Sequence, residues 1–113
     1  MAAAKNRILI DLDGVLNDYG NAPFDEKYIP DIKEGAEEFI KELSKLADLY
    51  LFTSRNLMLS AKWVIDNKID QYFKDITNVK IPSRIYIDDR CICFRGSYQK
   101  TLEEVKRFKV HWK

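Results

Sequence analysis

The period of the apolar positions changes several times along the chain, and each change marks a new element. Arg7 to Leu12 carries Ile8, Leu9, Ile10 and Leu12, a short run that suits a strand buried on both faces of a parallel sheet. An irregular stretch follows from Gly14 to Ile29, with Gly20, Asn21 and Pro23 inside it. That is long for a loop in a small chain, and long loops are where function tends to lie. Ile32, Ala36, Phe39, Ile40, Leu43 and Leu46 then recur at three- and four-residue steps. They predict a helix with Pro30 at its tolerated start and with Asp31 and Glu34 at its positive end. Leu49 to Thr53 reads as the second strand, and Asn56 to Lys68, with Leu57, Ala61, Val64 and Ile65 on one side, as the second helix.

The remainder continues the alternation. Tyr72 to Val79 holds a short third strand, Ile85 to Ile87 a clearer one, and Cys91 to Phe94 another apolar run. Tyr98, Leu102, Val105 and Phe108, at steps of four, three and three, mark a final helix. Such alternation predicts one three-layer α/β domain over residues 1–113, Rossmann-like, with a mostly parallel sheet. In sheets of this kind ligands bind at the carboxyl ends of the strands.

Composition narrows the function classes. Among the 113 residues, 46% are hydrophobic and 33% charged, which excludes disorder and fibrous repeats. Nineteen basic against eighteen acidic residues leave a net charge of +1. That balance argues against bulk nucleic-acid binding or an anionic membrane as partner, so any phosphate affinity is local. No apolar stretch is long enough for a span, and the start lacks an apolar leader core. Cys91 and Cys93 are too close in sequence for a relaxed disulfide, and a second pair for a zinc tetrahedron is missing. They read as reduced core thiols of a cytoplasmic protein. The basic end from Lys106 to Lys113, with His111, reads as a solvated tail.

The chemistry concentrates where strands end. In Asp11-Leu-Asp-Gly-Val-Leu-Asn-Asp18 the acids Asp11 and Asp13 are two apart, so in an extended segment they point the same way, and Gly14 frees a sharp exit. Close like charges demand a cation or a proton between them. An Asp-Gly step between solvated acids would also mark a plain turn. Asp88-Asp89 ends a later strand, and if the two strands are neighbours the acids form a hard oxygen site suited to Mg2+ and a substrate phosphate. Thr53, Ser54 and Arg55 end the second strand on the same edge. A hydroxyl, helix-opening N–H groups and a guanidinium suit a phosphate, although the same three residues would also serve as a helix cap. Lys80 can reach that spot as a point charge, with Lys74 and Lys68 as rivals. Arg90 flanks the site beside Arg55.

An Asp-x-Asp-Gly after the first strand, a Thr after the second, a Lys, and Asp-Asp after a later strand resembles the haloacid dehalogenase superfamily of phosphohydrolases over nearly the whole chain. The resemblance implies Asp11 as nucleophile, Asp13 as general acid and base, and Thr53 as a phosphate-binding hydroxyl. It further implies Lys80 as the bridging lysine and Asp88 with Asp89 as the acidic Mg2+ motif, Asp11 and Asp13 sharing that site. Val15 departs from the Thr of many members, and Lys80 lies unusually close to Asp88. The implied function is a magnesium-dependent phosphatase, a phosphoric monoester hydrolase working through an aspartyl phosphate.

Two other readings compete. A two-component receiver domain uses a similar residue set, but there the acidic pair sits near the first strand and the Lys after the last, whereas Asp88-Asp89 follows Lys80 here. A catalytically inactive phosphate-binding module of the same fold would be expected to have lost acids, and all are present. Members of the superfamily usually carry a cap domain. The stretch from Gly14 to Ile29 falls far short of the roughly 50 residues a stable domain needs, and so does the one before Lys80. The expectation is therefore a capless, open site walled by Tyr19, Phe24 and Tyr28. Its lid would be a large phosphorylated substrate or a second subunit of a homo-oligomer.

Overall fold

A parallel sheet of four short strands sets the position of everything else. The computed structural model describes residues 6–18 and 23–109. Among them the strands β1 (Arg7–Asp11), β2 (Asp48–Phe52), β3 (Phe73–Thr77) and β4 (Ile85–Ile87) lie in the order β3-β2-β1-β4. The helices are α1 (Ala36–Ser44), α2 (Leu57–Asp66) and α3 (Tyr98–Arg107). This is the α/β, small Rossmann-like architecture expected from the alternation.

Ile8 and Ile10 stand opposite Leu49 and Leu51 in the β1–β2 ladder, and the two-residue period puts all four on one face. With Ala36 and Ile40 of α1, Trp63 and Val64 of α2, and Leu12, Leu16, Ile29 and Ile69, they form one buried cluster. Leu9, Tyr50 and Tyr86, in register on the opposite face, meet a segment without a helix. Residues 78–84 cross there between β3 and β4, with Arg7 Nη1 donating to the Pro82 carbonyl at 2.9 Å. The Tyr86 hydroxyl donates to the Ile81 carbonyl and accepts from Ser83 N. This crossover brings β4, and the two acids behind it, beside β1 rather than beyond β3.

The first helix begins later than its periodicity suggests. Residues 31–33 are drawn into pairing with the loop after β1: Asp18 N donates to Asp31 O and Lys33 N to Leu16 O, and Ile32 bridges Asn17. A run held extended by these bonds cannot turn, so α1 starts after Gly35 at φ 89°, with Glu37 and Glu38 in its first turn. The second helix matches expectation, with Asn56 as its cap accepting from Leu59 N at 3.0 Å. Trp63 Nε1 donates to Pro30 O and ties α2 to the residues before α1.

The run from Cys91 to Phe94 forms no strand, and both cysteines are free and exposed rather than core thiols. The adjacent strand β4 is only three residues long and gives the run no continuing ladder to join. In α3 the stripe of Tyr98, Leu102 and Val105 is helical as expected, Phe108 follows the helix in extended conformation, and all four stay exposed. His111 and Tyr19 lie outside the described residues. No described helix is long and apolar enough to cross a membrane.

Candidate active site

Register brings the acids together. Ile10 pairs with Ile87, so Asp11 and Asp88, one step on, leave the sheet at the same level of neighbouring parallel strands. One carboxylate oxygen from each of Asp11, Asp88 and Asp89 lies within 4.8 Å of the others. Asp88 Oδ1 also accepts from Arg90 N at 2.8 Å, which tightens the turn after β4.

Asp13 departs from the expected metal group. The strand ends at Asp11, and a turn begins in which Leu16 N donates to Leu12 O at 3.0 Å. Leu12, fully buried, anchors that turn in the core. Gly14 takes φ 85°, a conformation L side chains avoid. The turn swings the Asp13 carboxylate onto Arg55, whose Nε donates to Oδ1 at 3.0 Å and to Oδ2 at 2.9 Å. Asn17 Nδ2 donates to the same Oδ1 at 3.0 Å, and its Oδ1 accepts from Gly14 N at 2.9 Å. A chain extended through Gly14 would set Asp13 beside Asp11, and the turn that begins at Leu12 prevents it. Asn17 was missed. Its only signal was a polar residue four positions after Asp13, inside an otherwise apolar turn.

Arg55, expected to meet the substrate phosphate, has a side chain with 0% exposure while that of Asp13 keeps 22%. Its Nη1 donates to the Asp25 carbonyl at 2.7 Å and its Cζ lies 4.4 Å from the centre of the Phe24 ring. Thr53 is buried at the end of β2, its N donating to Thr77 O and its Oγ1 accepting from Arg55 N at 3.1 Å. Ser54 faces a cleft of about 310 Å³ together with Asp11, Asp13, Phe24, Asp88, Asp89 and Arg90. Lys80 lines a smaller adjoining cavity of about 110 Å³ with Asp11, Asp88, Phe52 and Tyr86. Its Nζ rests 4.6 Å above the Tyr86 ring. Of its rivals, Lys74 is exposed in the outer strand β3 and Lys68 follows the end of α2, away from these acids.

Burial pushes the Asp11 carboxyl up to about 8, with the charges of Asp88, Asp89 and Asp13 and a hydrogen bond with Asp89 adding to the rise. Each cause disfavours the carboxylate unless a positive charge joins the group. Three converging carboxylate oxygens, one of them desolvated, are a donor set that fits Mg2+, a hard cation that takes a few carboxylates and leaves positions for water and phosphate.

Comparisons with known proteins bear on the family and the fold. The model of a family described as NLI interacting factor-like phosphatase matches residues 7–111. No curated protein matches the chain. A solved structure of a conserved protein from Bacteroides thetaiotaomicron is similar at 19% identity and a TM-score of 0.58, covering 89% of each chain. At that identity the likeness bears on the fold alone.

Proposed function

Because the chain belongs to the NLI interacting factor-like phosphatase family, a phosphatase family of the haloacid dehalogenase type, we propose that it hydrolyses phosphomonoesters with Mg2+ through an aspartyl phosphate on Asp11. The observation that carries this reading is the division of labour among the acids. Asp88 and Asp89 gather around Asp11, while Asp13, on the same cleft, is held apart by Arg55.

An Asp11 oxygen attacks phosphorus in line, and the bond to the ester oxygen breaks as Asp13 delivers a proton to the leaving alkoxide. Water then attacks the same phosphorus and yields a proton to Asp13. The bond to the Asp11 oxygen breaks, releasing phosphate and restoring the carboxylate. Ser54 and the Thr53 hydroxyl donate to the equatorial oxygens, where most acceleration arises in phosphoryl transfer. Lys80, in the adjoining cavity, adds a positive charge beside Asp11 and Asp88. Asp11, Asp88 and Asp89 would hold Mg2+, which supplies the charge that keeps Asp11 ionised and neutralises the phosphate.

The test is phosphate release from a panel of phosphate esters by the purified protein with Mg2+, with EDTA, and by Asp11→Asn. Release that needs Mg2+ and disappears in the variant supports the reading. Release by Asp11→Asn near the wild-type rate overturns it.

A further inference from the structure

Arg55 occupies an unusual position: a fully buried guanidinium that makes three kinds of contact at once. Its Nε spans both oxygens of Asp13, its Nη1 reaches the Asp25 carbonyl, and its plane carries the Phe24 ring. Its own backbone is pinned to the end of β2 through Thr53 Oγ1. A carboxylate on a turn is free to rotate about two torsions, and a proton donor displaced by about 1 Å can cost on the order of 100-fold. The N–H groups of a guanidinium lie in one rigid plane, so Nε can span the Asp13 carboxylate while Nη1 holds the Asp25 carbonyl, an arrangement that an ammonium on a flexible stem does not reproduce.

From these contacts we infer that Arg55 is a positioning residue that fixes the Asp13 carboxylate for proton transfer and ties the 23–25 wall of the cleft to it. The inference rests on the reading of Asp13 as the general acid and base. Arg55 acts through Asp13 and does not touch the substrate.

The test compares Arg55→Lys with wild type, using kcat/KM for an aryl phosphate with a good leaving group and an alkyl phosphate with a poor one. Arg55→Lys keeps the charge but loses the rigid plane of N–H groups that joins Asp13 to Asp25. The expected result is a loss of about 10- to 100-fold for the alkyl ester and under about 5-fold for the aryl ester, because only the poor leaving group needs the proton. In the Asp13→Asn background the same change should cost no more than about 2-fold. Hydrogen exchange of residues 13–17 and 23–29, which reads the tether without activity, should quicken in Arg55→Gln at unchanged exchange of β1 and β2. Equal losses for both esters, losses that multiply in the Asp13→Asn background, or unaltered exchange would each overturn the inference while leaving the phosphatase reading intact. A wild-type protein without phosphatase activity would overturn both.

Discussion

Asp89→Asn should stabilise the metal-free protein, an outcome opposite to that of most substitutions near an active site. In the wild type, the oxygens of Asp11, Asp88 and Asp89 lie within 4.8 Å of one another, and the replacement removes one negative charge while keeping shape and hydrogen-bonding capacity. Two unit charges at 4.8 Å repel by about 3.5 kcal/mol at an effective dielectric of about 20 and by about 0.9 in bulk water. Asp89 is half-buried, so a gain of about 1–3 kcal/mol is expected, or roughly 4–12 °C in Tm at about 4 °C per kcal/mol. The pH dependence follows from Asp11, whose carboxyl is raised from 3.8 to about 8 in the fold. For a carboxyl raised on folding, the native state is favoured most below the unfolded value, and the advantage is lost as pH climbs through the folded one. The metal-free wild type should thus lose stability from about pH 4 to about pH 8, and the gap to Asp89→Asn should widen over the same range. Saturating Mg2+ should close or reverse the gap, since a cation at about 100 times its Kd adds about 2.7 kcal/mol to the wild type alone. Thermal denaturation followed by circular dichroism, with and without EDTA, measures all of this. If Asp89→Asn melts lower than wild type in EDTA near pH 8, the acids do not repel as described.

Asp13→Asn should lower kcat/KM for alkyl esters about 100-fold or more and for good leaving groups far less, and equal losses in stopped-time assays of both would contradict its acid role. Chelation with EDTA should reduce phosphate release to background, with recovery on adding Mg2+ but not Ca2+, whose larger and looser shell wants more oxygen ligands than the three carboxylates offer. Activity that survives full chelation would remove the metal from the account. With no cap domain among the described residues, water exclusion should come from a large substrate or from a second copy of the chain. Sedimentation velocity together with kcat/KM for small esters and phosphorylated macromolecules decides this, and a monomer that strongly prefers a small metabolite would refute it.

The strands and their acids were legible because both signals are local. A buried apolar run followed by Asp needs no knowledge of distant chain, and the Asp11 and Asp88–Asp89 sets meet as soon as β1 and β4 are neighbours. What the sequence hid depended on contacts between remote segments. The late start of α1 comes from pairing of residues 31–33 with the loop after β1, which helical periodicity cannot register. Arg55 looked like a phosphate ligand because it follows Thr53, and only the turn at Gly14 reveals that Asp13 reaches it first. Cys91 and Cys93 have the composition of core residues, yet they follow an edge strand three residues long and stay exposed.

The central claim is that Asp11 carries the phosphoryl group. It is tested most directly by mixing the protein with a radiolabelled phosphate ester and Mg2+, quenching in acid within one turnover, and mapping the labelled peptide. The account predicts an acid-stable, base-labile label on the peptide containing Asp11, absent from Asp11→Asn and trapped longer in Asp13→Asn. Phosphate released in that turnover with no label on Asp11, or with label on another residue, would contradict it.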